Sequence, residues 1–294
     1  MKTKGGVGYS VLMSVYWKEK PEFLRQSMDS IYSQTIPTDN FVLVCDGPLG
    51  EGLYKVVEEQ KTKFQEALKI VQLERNCGLG NALNEGMKFC RHEWVARMDS
   101  DDISFPERCE RQLSVFRDRP EIAICSGTVL EFRDTPDQIT GKRALPEEHQ
   151  DICMFSHRRN PFNHPAVMFR KLAVEEAGGY QEQYHLFEDY DLWVRMLMKG
   201  YQGYNLKTPL LYMRVPEDMY ARRGGRSYAK TMLQFHWRML QNRWSNGREY
   251  ITGAVPHAMI CVLPNRLRKQ IYQRLHGHGE EKGIYESSDS CPMP

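Results

Sequence analysis

The chain has 294 residues, of which 41% are hydrophobic, 27% charged and 11% aromatic, a composition that excludes wholesale disorder and collagen-like or coiled-coil fibres. Forty Lys and Arg against 38 Asp and Glu give a formal +2, too near neutral to argue for a nucleic-acid partner. That total hides a split: positions 214–276 hold twelve Lys/Arg and three Asp/Glu, a local +9 that leaves −7 for the remainder.

Residues 9–16 (YSVLMSVY) form an apolar, β-rich run and predict a buried strand. Pro21 suits a first helical position, and Leu24, Met28 and Ile31 recur at helical spacing to about Gln34. A second buried strand is expected over Phe41 to Cys45, stopped by Asp46-Gly47-Pro48, and a helix over Leu53 to Leu68. A third strand spans Lys69 to Leu73; the turn Asn76-Cys77-Gly78-Leu79-Gly80 leads into a helix carrying Leu83, Met87 and Cys90; a fourth strand runs from Trp94 to Asp99. Strand–helix alternation with short turns predicts a parallel sheet with crossover helices, whose ligands bind beyond the carboxyl ends of the strands. Tyr16, Asp46, Asn76 and Asp99 each fall at or past a strand end, so they are expected to converge on one crevice.

Past Asp102 the pattern predicts a helix over Pro106 to Phe116 and a strand over Ile122 to Leu130. A surface loop over Arg133 to Gln150, a strand over Pro165 to Phe169, a helix over Glu188 to Lys199 and an irregular strand over Tyr201 to Leu211 complete this half. Positions 277–294 read as a polar, flexible tail. The eight cysteines form no Cys-x-x-Cys and mostly sit in apolar runs, which argues for buried thiols rather than disulfides or zinc. Met1 to Gly8 has no apolar signal core, and the apolar run around Ala258 to Leu263 falls far short of the roughly 20 residues of a membrane span.

Four constellations bear chemistry. In Asp99-Ser100-Asp101-Asp102, three carboxylates at the end of a buried strand repel one another unless a counter-ion joins them. Mg²⁺ and Mn²⁺ take oxygen ligands of this kind, although an Asp here also suits a helix N-cap. In Phe187-Glu188-Asp189-Tyr190-Asp191-Leu192-Trp193, a carboxylate at a helix start suits a general base, or a cap; Trp193 stacks on a sugar or belongs to the core. Asn160-Pro161-Phe162-Asn163-His164-Pro165 is a polar corner in which His164 touches an acceptor or phosphate, or serves the turn. Arg222-Arg223-Gly224-Gly225-Arg226 suits a mobile loop closing on phosphate oxygens, or a solvated basic loop.

Taken together, Ser14-Val15-Tyr16, Asp46-Gly47, Asn76-x-Gly78-Leu79, Ala82-Leu83-Asn84-x-Gly86, Asp99-Ser100-Asp101-Asp102 and Gly178-Gly179-Tyr180 before Glu188-Asp189 resemble family 2 glycosyltransferases of the GT-A fold. The 160–165 corner, Glu188-Asp189-Tyr190-x-Leu192-Trp193-x-Arg195 and Arg222-Arg223-Gly224-Gly225 resemble the bacterial exopolysaccharide, capsule and O-antigen subgroup related to amylovoran biosynthesis transferases. The resemblance implies an α/β Rossmann-like sheet and an inverting, Mn²⁺- or Mg²⁺-dependent transfer of a hexose, galactose first, from a UDP-sugar. The acceptor would be a polyprenyl-diphosphate-linked saccharide. It puts Val15, Tyr16, Asp46, Asn76, Asn81, Asp99, Ser100 and Arg223 on the donor, and Asp101 with Asp99 on the metal. Asp189 would be the base with Glu188 beside it, and His164, Tyr180 and Trp193 would face the acceptor. The family often has two acids before the glycine of the second strand's end; here Cys45 precedes Asp46.

The implied organisation is a catalytic domain over 1–213, with a nucleotide-binding half at 9–102 and an acceptor half at 103–213, followed by a basic, aromatic helical extension at 214–276. Basic residues interleaved with aromatics read as RNA-binding or as a membrane-surface helix; a lipid-linked acceptor favours the latter, on the cytoplasmic face of the inner membrane, with no nucleic acid. Two rivals stand beside the transferase. A nucleotidyltransferase would want a Gly-rich basic loop where Trp17-Lys18-Glu19 stands, and a non-catalytic nucleotide-sugar-binding partner would not need the acids.

Overall fold

The computed structural model describes residues 8–184, 186–215 and 224–264, together with Leu267. Four strands, β1 (Tyr9–Val15), β2 (Asn40–Cys45), β3 (Leu68–Gln72) and β4 (Trp94–Asp99), alternate with helices α1 (Pro21–Tyr32), α2 (Glu51–Phe64) and α3 (Leu79–Met87). All four strands are parallel and stand in the order β3-β2-β1-β4. Their side chains alternate between the two faces. Tyr9, Val11, Met13 and Val15 of β1 join Phe41, Leu43 and Cys45 of β2 in one core, under α1 and α2. Leu12, Val42, Val44 and Val95 join Ala82 and Leu83 of α3 in the other. Burial on both faces explains why these strands read as continuous apolar runs.

The sheet then changes character. Short β5 (Ile103–Ser104) and α4 (Arg108–Asp118) lead to the long β6 (Ile122–Phe132), whose hairpin partner is β7 (Ile139–Arg143). After α5 (His149–Ser156), β8 (Met168–Arg170) inserts antiparallel between β4 and β6. Helices α6 (Lys171–Glu176) and α7 (Glu188–Met198) follow, and β9 (Gln202–Arg214) runs parallel to β6 with register shifts around Gly127 and Thr128. Among the described residues this gives one nine-stranded sheet.

Several elements depart from the sequence reading. The second helix stops at Phe64 because Gln65 takes φ 50°, and a single 3₁₀ turn covers Gln65–Ala67. The stretch expected to be loop holds β7, a half-exposed strand without an apolar face. The expected strand over 165–169 begins as a 3₁₀ turn, His164–Ala166.

Residues beyond β9 form α8 (Arg226–Gln241), a capped turn at Gly247–Glu249, a π turn at Tyr250–Ala254 and α9 (Val255–Cys261). This layer shares its core with the sheet-bearing part of the chain. Ala229, Met232, Phe235, Met239, Ala258 and Cys261 share a core with Phe187, Tyr190 and Val194 of the α7 region. Ser156 ties the same parts together: its carbonyl accepts the Tyr190 hydroxyl at 2.6 Å and its Oγ accepts the Trp244 indole N–H at 2.9 Å. No described helix is long and apolar enough to cross a membrane. The described cysteines Cys45, Cys77, Cys90, Cys109, Cys125 and Cys153 are free thiols.

Candidate active site

Strand order reverses at β1: β2 and β3 lie on one side of it, β4 on the other. That switch point leaves a crevice at the carboxyl edge. Its rim is set by register, with Cys45 opposite both Val15 and Gln72, and Ser14 opposite Asp99. Past these ends, Tyr16 and Trp17 are exposed.

Asp46 is buried, and its two oxygens accept the backbone N–H of Cys77 at 2.7 Å and of Gly78 at 3.1 Å. Asn76 donates back to the Asp46 carbonyl at 3.3 Å. Gly47, at φ +86°, runs so close to this turn that a Cβ would stand 2.6 Å from the Asn76 nitrogen. In this structure Asp46 therefore fixes the 76–78 turn. Asn81 donates to the Cys77 carbonyl at 3.1 Å and to Glu182, joining the turn to the segment that precedes α7.

Asp99, Asp101 and Asp102 bring carboxylate oxygens within 4.8 Å of one another. Each is held differently. Asp99 shares a strand face with Arg97, two residues earlier, and the buried Arg97 guanidinium grips both its oxygens. Asp102 is buried; its Oδ1 accepts the Arg214 backbone N–H at 2.8 Å and its Oδ2 has no partner. Arg214 also donates to the Asp101 carbonyl at 3.0 Å, while its guanidinium lies 3.7 Å from the Phe23 ring centroid. Ser100 donates to Glu19 at 2.7 Å. Burial, then the charges of Asp99 and Glu19, pushes Asp101 up to about 7. Burial, with Asp101 and Asp99, raises Asp102 well above the usual carboxylate range. An orphaned buried oxygen and clustered acids that favour protons are what a site for a hard divalent cation shows when only protons balance it.

On the other side, α7 starts at Glu188, with Asp189 in its first turn. Asp189 Oδ1 accepts the Tyr190 N–H at 2.8 Å and Oδ2 accepts the Asn160 amide at 2.7 Å. His164 Nδ1 lies 3.9 Å from the same Oδ2, and its Nε2 lies 3.0 Å from the Tyr180 hydroxyl. Burial, aided by the Arg97 charge, holds His164 well below the usual imidazole range, so the ring is neutral.

Tyr180 is delivered by the Gly178-Gly179 turn. Gly179 has φ +64°, and a Cβ there would meet Asn84 Oδ1 at 2.7 Å. Asn84 of α3 brackets the Tyr180 backbone, accepting its N–H at 2.9 Å and donating to its carbonyl at 2.8 Å. Arg195 of α7 donates to the Gly179 carbonyl at 2.7 Å and to Asp191 at 2.7 Å. The buried Tyr180 hydroxyl feels the charges of both Asp99 and Asp189. The Asp99 and Asp189 carboxylates thus both lie within electrostatic reach of Tyr180.

The structure alters the expectations for three acceptor residues, Trp193, His164 and Tyr180. Trp193 offers no face to a sugar: it is fully buried, with Phe162, Phe169, Tyr180 and His164 around it and its indole N–H unpartnered. Tyr180 is buried and His164 only 12% exposed at its side chain, and the two engage each other. Arg222 and Arg223 lie outside the described residues. Sequence reasoning missed Arg97, Glu19, Arg214, Asn84 and the specific part of Asn160. Arg97 was within reach, since positions two apart on a strand share a face; Arg214, more than a hundred residues from Asp102, carried no local signal.

Residues 10–175 match the family described as glycosyl transferase family 2, and residues 94–273 match glycosyl transferase family group 2. The chain is 44% identical over 270 residues to the amylovoran biosynthesis glycosyltransferase AmsE of Erwinia amylovora, covering 90% of this chain and 98% of that one. It is 33% identical over 267 residues to the Escherichia coli UDP-Gal:alpha-D-GlcNAc-diphosphoundecaprenol beta-1,3-galactosyltransferase, covering 91% and 96%. Among solved structures, the fold is similar to Pyrobaculum calidifontis mannosyltransferase PcManGT in complex with GDP-Man and Mn²⁺ (TM-score 0.60, 17% identity, 94% and 76% covered). It is also similar to S. aureus TarS in complex with UDP-GlcNAc (TM-score 0.59, 17% identity, 95% and 77% covered).

Proposed function

The chain belongs to glycosyl transferase family 2, and from that premise we propose an inverting transferase of bacterial surface-polysaccharide synthesis, moving a hexose from a UDP-sugar to a hydroxyl of a polyprenyl-diphosphate-linked saccharide. The observation that carries this reading is the cluster of Asp99, Asp101 and Asp102 at the end of β4, with Asp189 at the start of α7 joined through His164 to Tyr180. The named specificity of the Escherichia coli relative supports galactose as the first sugar to test.

In this reading the 9–102 half holds the donor. Val15, Tyr16, Asn76 and Asn81 line the nucleotide, Asp46 sets the turn beside it, and Asp99, oriented by Arg97, meets the ribose and sugar with Ser100. Asp101, with Asp99 and Asp102 around it, would hold Mn²⁺ or Mg²⁺, whose charge would offset that of the departing diphosphate. Arg223 would add a second cation to those phosphates. Asp189, at a helix N-terminus that favours its anion, takes the proton from the acceptor hydroxyl. The oxygen attacks the anomeric carbon from the opposite face as the bond to UDP breaks. UDP leaves with the electron pair, and an α-linked donor yields a β-glycoside. Glu188, beside the base, orients the sugar.

The test is UDP release from a panel of UDP-sugars with Mn²⁺, with and without a GlcNAc-diphosphate-lipid acceptor. The expected result is acceptor-dependent release, largest with UDP-galactose. No release from any donor, with or without acceptor, overturns the assignment in favour of a binding protein.

The same reading sets the C-terminal layer against the anionic cytoplasmic leaflet. Ile251, Met259 and Val262 are exposed and Val255 half-exposed along one side of the π turn and α9, opposite Ala254, Ala258 and Cys261. Trp237 and Tyr250 meet at their edge. An apolar stripe within a segment of local +9 is the pattern of an interfacial helix. Binding to phosphatidylglycerol vesicles, lost on Ile251→Asp with Met259→Asp, supports it; equal sedimentation of variant and parent overturns it.

A further inference from the structure

The 160–165 corner has no part in the transfer step as written, yet two of its residues reach the reacting carboxylate. We infer that Asn160 and His164 are positioning residues for Asp189: the corner holds the base, and it does not read the acceptor or a phosphate. This rests on the proposed role of Asp189 as base.

Hydrogen-bond chemistry fixes the orientation. A carboxylate only accepts, so the NH₂ side of the Asn160 amide faces Asp189 Oδ2 at 2.7 Å; its Oδ1 side accepts the Phe162 N–H at 3.3 Å. Oδ1 of Asp189 is held by the Tyr190 N–H at 2.8 Å, within its own helix. These donors, on different oxygens, restrain rotation of the carboxylate plane. Asn160 supplies a tie that comes from outside α7.

That tie has a rigid footing. Asn163 is buried and donates to the Gly127 carbonyl at 2.9 Å and the Arg143 carbonyl at 3.1 Å. The Pro161 carbonyl accepts Asn205 at 3.0 Å. Phe162 packs edge-on against Trp193. The corner is thus pinned to β6, β7 and β9, and Asn160 transmits that fixed position to α7. His164 completes the arrangement. Its Nε2 is taken by the Tyr180 hydroxyl and its Nδ1 faces Oδ2 at 3.9 Å, so neither nitrogen is presented to a bound sugar. A neutral ring there leaves the negative charge of Asp189 in place, where a buried imidazolium would quench it.

Steady-state kinetics on the full chain separate this role from a structural one. Asn160→Ala should lower kcat by ~10–100-fold, with donor KM and Mn²⁺-dependent UDP binding held to about twofold. The acid limb of the kcat profile should also rise by about one pH unit, because removing a donor to the charged form favours protonation. Titratable or charged groups near Asp189 among the described residues include Glu188, Tyr190, His164 and Tyr180, with Arg97 and Asp99 near Tyr180, and none of them changes in the variant. Asn160→Asp, nearly isosteric, serves where the alanine variant does not fold, and should move the limb further in the same direction. Unchanged kcat, or a raised acceptor KM at unchanged kcat, overturns the clamp. Retained turnover in Asp189→Asn would instead overturn the base assignment, which keeps the two failures distinct.

Discussion

The two walls of the crevice are built in different ways. On the donor wall, functional positions follow strand ends: the register of parallel strands brings together the ends that carry Asp46 and Asp99, and short local ties hold Asn76 and the Asp99 carboxylate there. On the opposite wall the strands are antiparallel or bulged, and Tyr180, Asn160 and Asp189 are set by side-chain hydrogen bonds across long sequence separations. A register holds through many hydrogen bonds at once, so one substitution on the donor wall changes chemistry more than geometry. A side-chain tie is a single bond, and its loss moves a functional atom. The base wall should therefore be the more sensitive to conservative change.

The largest expected effect separates the walls outright. Asp189→Asn keeps the shape of the side chain and removes its basicity, so transfer should fall by about 10³-fold. Donor affinity, measured by calorimetric titration of UDP with Mn²⁺, should stay as in the parent. Comparable loss of both would mean that the two walls do not act separately.

The next prediction concerns what stands behind the base. The C-terminal helices read from sequence as an appended extension, yet Phe235 is fully buried against Tyr184, Phe187 and Tyr190. Phe235→Ala should cost about 3–5 kcal/mol of stability, read by thermal or urea unfolding, and should weaken transfer more than UDP binding. A truncation at Tyr228 would strip the same cover from α7, so it cannot isolate membrane binding. Near-parental stability in Phe235→Ala would restore the modular picture.

How much of this was legible follows the same division. The parallel half announces itself because strands buried on both faces must be apolar throughout, and the turns between them carry glycine, asparagine and aspartate for local reasons. Asp99-Ser100-Asp101-Asp102 was legible because like charges at a strand end demand a counter-ion. The acceptor half was not, since β7 has no apolar face and Asn84, Asn160 and Arg214 act through partners distant in the chain. Of the two readings open for Trp193, sugar platform or core, the structure takes the second: its ring lies fully buried on the inner face of α7.

The acidic cluster gives a smaller effect, whose sign distinguishes the walls. Asp101 titrates at about 7 when folded, against 3.8 for the ordinary side chain, because burial and the neighbouring Asp99 and Glu19 disfavour its charge. The folded state then binds the proton more tightly than the unfolded one. Without metal, stability should fall as pH rises from about 4 to 7, with no further loss from this group above that range. A divalent cation replaces the proton, so the rise in Tm on adding Mn²⁺ should be slight at pH 5 and greatest above pH 7. Asp101→Asn should flatten both trends. A Tm increase with Mn²⁺ that is equal at all pH values would place the ion elsewhere.

The smallest effect tests the least expected part of the base wall. Trp193 presents no surface to a sugar, and its indole N–H is buried without a partner. Trp193→Phe removes that unsatisfied donor, which returns part of the packing lost with the smaller ring. The net change in stability should stay within about 1.5 kcal/mol, and acceptor KM should not move. A tenfold rise in acceptor KM at parental stability would show that the ring reaches the sugar after all. The base wall would then have to open during turnover, exposing a side chain that Phe162, Phe169 and Tyr180 now enclose. The contrast between a register-built wall and a wall held by single ties would in that case extend from construction to motion, because only the second kind can release a buried ring without breaking the sheet.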